Sequence, residues 1–217
     1  MSAYTFTVLD VAAEPYAASP QLTCRLRIAE STGRRVHAIA LRCQVRIEPQ
    51  RRRYDPAEQD ALRGLFGERE RWADTLKPFQ WMQANATVQG FTGDIETDLA
   101  LPCTYDLEVI GTRYLHALDA GDVPLNLLFS GTIFTKGTTG FEVEQVPWAC
   151  EARWALPVAV WRNMIDAFFP NSGYVLVSAD MLKELAAFRA RHDLISWDET
   201  MRRLLDASSS PDSPERR

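Results

Sequence analysis

The chain has 217 residues, of which 46% are hydrophobic and 24% charged, and it carries a net charge of −5 at pH 7. The length allows one large domain or two small ones with a substantial core, and the composition is that of a soluble globular protein. The acidic balance argues against nucleic acid as a partner. No run reaches the roughly 18 apolar residues of a membrane span, and Met1–Asp10 lacks the basic start of a signal peptide, so a cytoplasmic location is expected.

The first half reads mainly as strands. Tyr4, Phe6 and Val8 alternate with threonines, which predicts a strand near Tyr4–Leu9. Leu22, Cys24, Leu26 and Ile28 then alternate with Thr23, Arg25 and Arg27. After a break at Ser31-Thr32-Gly33, Ile39, Leu41, Cys43, Val45 and Ile47 alternate with Ala40, Arg42, Gln44 and Arg46. Successive strand side chains point to opposite faces, so Leu22–Ile47 predicts an antiparallel hairpin with one apolar and one arginine-rich face.

A helix is signalled next. Asp55 can cap it, Pro56 suits its first turn, Glu58 stands three residues after the cap, and Leu62, Leu65 and Phe66 form an apolar face before Gly67. Residues 68–76 extend it around Trp72, and Pro78 stops it. Strand patterns return at Phe79–Val88, Leu99–Ile110, Val123–Phe134 and Phe141–Val146, for about seven strands in all.

The character changes at Pro147. Pro157 opens a helix bearing Trp161, Ile165 and Phe168, ended by Pro170. A short strand is expected at Tyr174–Val177. Ser178 then caps a helix with Leu182, Leu185 and Phe188 inward, and Ser196 with Glu199 forms a capping box for a last one carrying Trp197, Met201, Leu204 and Leu205. From Ala207 the composition reads as a disordered tail. The expectation is an α+β fold: an antiparallel β-rich domain at 1–146 with an inserted helix near 55–76, a helical segment at 147–206 packed on the same core, and a tail at 207–217.

Chemistry-bearing patterns are sparse. His37, His116 and His192 lie in different elements, and Cys24, Cys43, Cys103 and Cys150 form no C-x-x-C pair, so no metal site is expected. Cys24 and Cys43 fall on apolar faces, where a thiol behaves as a small hydrophobe. Phe129-Ser130-Gly131-Thr132 is not a nucleophile elbow and reads as a bulge or a close backbone approach. Gly137 and Gly140 join two strands, which suits a hairpin turn rather than a phosphate loop. Asp94, Glu96 and Asp98 share one face and read as a strand edge protected by charge. No catalytic residue and no cofactor is expected.

Two surface features remain. Arg25, Arg27, Arg42 and Arg46 are expected to project together, with Arg51, Arg52 and Arg53 continuing from the strand end; the plain reading is a solvated face, while guanidinium forks suit carboxylate or phosphate recognition, an acidic protein partner coming next. Trp148, Trp154 and Trp161 enrich the strand-to-helix junction; they read mainly as core that locks the helical segment onto the sheet, and a minority, with the arginines, are candidate anchors for a protein partner, since tryptophan and arginine dominate binding hot spots.

Leu41-Arg42-Cys43-Gln44-Val45-Arg46-Ile47-Glu48-Pro49, Leu65-Phe66-Gly67, Leu128-Phe129-Ser130-Gly131-Thr132, and Val146-Pro147-Trp148 through Leu156-Pro157 together resemble an uncharacterised bacterial family, the domain-of-unknown-function family numbered 6084. The resemblance covers nearly the whole chain except the tail. It implies a loose association with the gene neighbourhoods of actinobacterial-type nickel–iron hydrogenases and supplies no catalytic residues. The expectation is therefore a non-catalytic cytoplasmic interaction or accessory protein, an assembly factor for a redox-enzyme complex, with a protein partner and room for homo-oligomers. The alternatives are an enzyme or small-ligand protein with a pocket between sheet and helices, and a chaperone-like protein with exposed apolar grooves.

Overall fold

The structure, a computed structural model, describes residues 3–104, 109–137, 140–170 and 175–209. It contains two compact units, Met1–Tyr174 and Val175–Arg217.

The first unit is built on two antiparallel sheets. One has the order β1 (Tyr4–Ala13), β2 (Gln21–Glu30), β5 (Asp94–Pro102). The other has the order β4 (Phe79–Phe91), β3 (Val36–Ile47), β6 (Asp122–Lys136), β7 (Phe141–Gln145), with β8 (Glu151–Pro157) also paired to β6. With helices concentrated toward the C-terminus, the fold is α+β, as the alternation patterns predict.

The predicted Leu22–Ile47 hairpin does not form. β2 pairs with β1 and β5, whereas β3 pairs with β4 and β6, so the two strands lie in different sheets. The reason is local. The Glu30 carboxylate accepts hydrogen bonds from the backbone N–H groups of Thr32 and Arg34, each at 2.9 Å, and from the Thr32 hydroxyl. This side-chain cap holds the connection in a form that crosses between sheets instead of folding back into a ladder.

The apolar faces of β2 and β3 are nevertheless both buried. Leu22, Cys24, Leu26 and Ile28 from one, and Ile39, Cys43, Val45 and Ile47 from the other, are fully inaccessible. Phe6 of β1 stacks on Phe129 of β6 with ring centroids 4.4 Å apart, tying the sheets together through the core. At one end Tyr4 donates to Glu144 of β7 at 2.6 Å, and Arg34 pairs with the same carboxylate at 2.9 Å.

The helix signals are well placed. α1 (Pro56–Phe66) has Asp55 as N-cap, accepting from the Glu58 N–H at 2.9 Å, and Gly67 as C-cap; Leu62 and Phe66 are buried. A short α2 (Trp72–Thr75) follows. The expected strand at Leu99–Ile110 is shorter: β5 ends at Pro102, and Ile110 begins α3 (Ile110–His116), which buries Tyr114 and Leu115. Residues 105–108 of that expected strand lie outside the described ones. β8 was not expected, because Trp154 and the flanking prolines hide a short period-two run. α4 (Val158–Phe168) opens after Pro157, buries Trp161, Met164 and Ile165, and packs on β1, β2 and β8.

The second unit contains α5 (Ala179–Arg191) and α6 (Trp197–Ser209). Ser178 caps α5, accepting from the Met181 N–H at 3.2 Å. In the capping box of α6 the Ser196 hydroxyl accepts from Glu199 N–H at 3.1 Å, while the Glu199 carboxylate accepts from Ser196 N–H at 3.3 Å. The inward face expected on α5 is incomplete: Leu185 and Phe188 are half-buried and Leu182 is exposed. Val175–Val177 adopts no strand, and Tyr174 lies outside the described residues. Ala207–Ser209 continues α6 rather than beginning the expected tail; residues 210–217 lie outside the described ones.

Candidate functional site: the outer face of the five-stranded sheet

Splitting β2 from β3 splits the predicted arginine face. Arg25 and Arg27 project from the three-stranded sheet beside β5, and its acidic row meets them. Arg25 pairs with Glu96 at 3.2 Å, and Arg27 pairs with Glu96 at 2.8 Å and Asp94 at 3.6 Å. The row read as charge protection of an edge strand is thus also a cross-strand partner for two arginines.

Arg51 pairs with Glu48 at 3.0 Å. Arg52 turns inward: its guanidinium donates to Glu58 at 2.5 Å, to the Ala120 carbonyl at 2.6 Å and to the Asp122 carbonyl at 2.8 Å. It is a structural clamp between the start of α1 and the segment before β6, and is removed from the partner surface. Arg53 is exposed.

Arg42 and Arg46 behave differently. Both lie on the outer face of the five-stranded sheet, and neither has an ion-pair partner among the described residues. Register places Arg42 opposite Asn85 and Ser130, and Arg46 opposite Asn126, which in turn faces Arg153 of β8. Arg153 is exposed and was missed in the sequence. Its signal is the alternation of Arg153 and Ala155 with Ala152, Trp154 and Leu156.

Between these cations the sheet surface is hydrogen-bonding, and one carboxylate, Glu151 of β8, lies on it, accepting from the Asn126 side-chain amide at 3.2 Å. A shallow depression of about 600 Å³ is lined by Arg42, Asn85, Thr87, Ser130, Thr132 and Gln145. Its floor is Gly131, with φ +137°; a Cβ there would lie 2.1 Å from the Ala40 carbonyl oxygen. The Ser130-Gly131 reading as a close backbone approach holds: only glycine lets β6 approach β3 at this point.

β6 also changes partner here. It pairs with β8 up to Leu128 and with β7 from Thr132, so the Val146–Cys150 turn projects from the sheet edge between them. The turn is fastened by Val146 N–H to the Gly131 carbonyl and Phe129 N–H to the Cys150 carbonyl, at 2.9 and 3.0 Å. Trp148, at its tip, is 95% exposed.

The other tryptophans part company with it. Trp161 is 1% exposed and meets His116 edge-on at 4.9 Å, so it belongs to the core and not to a partner interface. Trp154 is half-buried beside Arg51 and Arg153, in a cleft of about 300 Å³.

A second concavity, of about 500 Å³, lies beside Arg52, Tyr54, Trp72 and Lys77. Burial, reinforced by the neighbouring phenol, pushes Tyr54 far above the ordinary tyrosine range, and burial raises Tyr114 to about 12. The hydroxyls are 2.7 Å apart, and Tyr54 also donates to the Pro49 carbonyl at 2.7 Å. These are neutral phenols held by hydrogen bonds.

Burial likewise pushes the thiols of Cys24, Cys43 and Cys103 up to about 12. His116 is lowered by burial and by Arg162. His37 packs edge-on to Phe141 and His192 lies against Phe188 at the end of α5. Among the described residues no group of three or more His, Cys, Asp or Glu could hold a metal ion. Among the described residues no helix is long and apolar enough to cross a membrane.

A family model described as a family of unknown function, DUF6084, matches residues 1–213, and the chain belongs to that family. No curated protein matches it. Among solved structures, a β-glucosidase from Kluyveromyces marxianus superposes with 7% identity over 70% of this chain and 14% of that one. Its TM-score of 0.24 is too low to carry any argument about fold or function.

Proposed function

We propose that this member of the family of unknown function DUF6084 is a non-catalytic interaction protein that receives an acidic segment of a partner protein on the outer face of its five-stranded sheet. One observation carries the reading. Arg25, Arg27, Arg51 and Arg52 are neutralised within the chain, whereas Arg42, Arg46 and Arg153 share one face with no carboxylate paired to them among the described residues. The one carboxylate on that face, Glu151, is bonded to Asn126 and makes no ion pair among the described residues, so the guanidinium forks are available for a partner's carboxylate. Trp148, exposed at the tip of the turn between β7 and β8, adds a large rigid group for burial at an interface core.

The partner class that follows from the family resemblance is a redox enzyme of the nickel–iron hydrogenase type, with this chain as an accessory or assembly factor. The test is affinity purification of the native protein at modest salt. The expected result is a reproducible partner that is lost with the R42E/R46E/R153E triple variant and kept with R25A/R27A. Recovery of the chain alone under all growth conditions, or equal capture by both variants, sinks the proposal. Salt should weaken capture, because charge-driven encounter is screened.

A further inference from the structure

A sheet edge presents unpaired N–H and C=O groups, and proteins keep such edges from pairing with charge, proline, bulges or short strands. In this molecule β1 has a register break between Val8 and Asp10, and an aspartate at that point. β5 carries Asp94, Glu96 and Asp98. β7 is 5 residues long with Glu142 and Glu144, and β8, which follows the Pro147 turn, carries Glu151 and Arg153.

β4 has none of these on its open stretch. It is 13 residues long, FQWMQANATVQGF, without a charged residue or a proline. Its one irregularity lies near its start, opposite Val45 and Arg46. It pairs with β3 alone, and no described backbone group hydrogen-bonds its other edge. α3 meets the strand near its start, where Tyr114 packs on Phe79 and Gly111 on Trp81. Beyond that point Gln83, Asn85, Thr87 and Gln89 are exposed.

We propose that β4 is the dimerisation edge of this protein, pairing antiparallel with β4 of a second copy about a twofold axis at Asn85, so that Gln83 meets Thr87 and Asn85 meets its own counterpart. The occupant follows from the strand's own chemistry. With no charge it offers nothing to select a particular foreign strand, and nothing to repel itself. An antiparallel pair of identical strands is self-complementary, as a twofold interface requires. The Gln83, Asn85 and Thr87 side chains then meet across the axis, where amide and hydroxyl groups form cross-strand hydrogen bonds. The two five-stranded sheets become one continuous sheet. This reading rests on the β4 edge and not on the arginines, although Asn85 and Thr87 also line the depression beside Arg42, so its readout is self-association and not partner capture.

The experiment is sedimentation equilibrium of the full chain over a concentration series, with the variant Q83K/N85K/T87K beside it. The three sites are exposed, so the lysines leave the fold intact while placing like charges opposite one another in the pair. Wild type is expected to be dimeric at about 10 μM and the variant monomeric, a loss of at least about 30-fold in association. Amide exchange provides a check on wild type alone: Met82–Gln89 should gain protection as concentration rises. A monomeric wild type, a variant that remains dimeric, or amides whose protection is independent of concentration would overturn the proposal. Pairing of this edge with a different protein, without self-association, overturns it too.

Discussion

Arg52 and Glu58 meet at 2.5 Å with side chains only 8% and 4% exposed, and the Glu58 carboxylate also accepts from the Asp119 N–H at 2.9 Å. This pair joins the N-terminal end of α1 to the segment leading into β6, which carries Ser130 and Gly131 of the candidate site. Removing one partner strands a buried charge, so R52A and E58A should each cost about 3–5 kcal/mol in urea unfolding. The double replacement R52M/E58L should recover much of that loss, because it removes both desolvated charges. Equal destabilisation in single and double variants would show that the Arg52 bonds to the Ala120 and Asp122 carbonyls dominate instead.

Arg25 and Arg27 should behave in the opposite way. Their pairs with Glu96 and Asp94 are more than a third exposed. Replacing either by alanine is expected to cost less than about 1 kcal/mol, and the loss should shrink in high salt. A thermal-melt series with and without salt measures this.

Gly131 sits at φ +137° with the Ala40 carbonyl where a side chain would be. G131A should therefore destabilise the first unit by on the order of 3 kcal/mol, combining backbone strain with a clash that neither strand can relieve cheaply. Denaturant midpoints decide the matter; a near-neutral substitution would mean that β6 can withdraw from β3 without loss.

Glu30 gives a pH signature. Burial opposes its ionisation, but hydrogen bonds from the Thr32 hydroxyl and from the backbone of Thr32, Arg34 and Gly33 outweigh it, and its carboxyl lies below the ordinary glutamate value. A folded-state value below the unfolded one means the stabilisation is full above the unfolded value, near about 4.3, and is lost as pH falls through the folded value. E30Q should be less stable than wild type at neutral pH and should show a shallower loss of stability on acidification below about pH 4. Parallel pH profiles for the two proteins would contradict the assignment.

The thiols offer a direct probe of the core. Cys24, Cys43, Cys103 and Cys150 are all buried, and the first three are raised to about 12 by burial. Labelling with an aromatic disulfide at pH 8 should proceed only as fast as the protein opens, and should become rapid in urea. Fast labelling of the native chain would show that the inner sheet faces are accessible.

Much of the local structure was legible in the chain itself. Alternation in Leu22–Ile28 and Ile39–Ile47 identified which side chains enter the core. Asp55, Ser178 and the Ser196–Glu199 box marked helix starts, because capping satisfies backbone groups within a few residues of one another. β8 was missed because Trp154 and the flanking prolines masked its short alternation, and α3 because the preceding apolar run continues past Pro102.

What the sequence by itself determined is the face that β2 and β3 bury and the point at which several helices begin, whereas on β7 the apolar Phe141 and Val143 are exposed. Both are set by covalent spacing and by contacts within a turn or two. Only the tertiary structure decided which strand edges meet, since ladder pairing depends on backbone groups that are alike in every residue and on connections such as the Glu30-capped crossing. That decision separated Arg25 and Arg27 from Arg42 and Arg46, brought carboxylates to the first pair, and left the second pair facing outward beside Arg153. It also left β4 as a long neutral edge, a property that neither its composition nor its alternation could disclose alone.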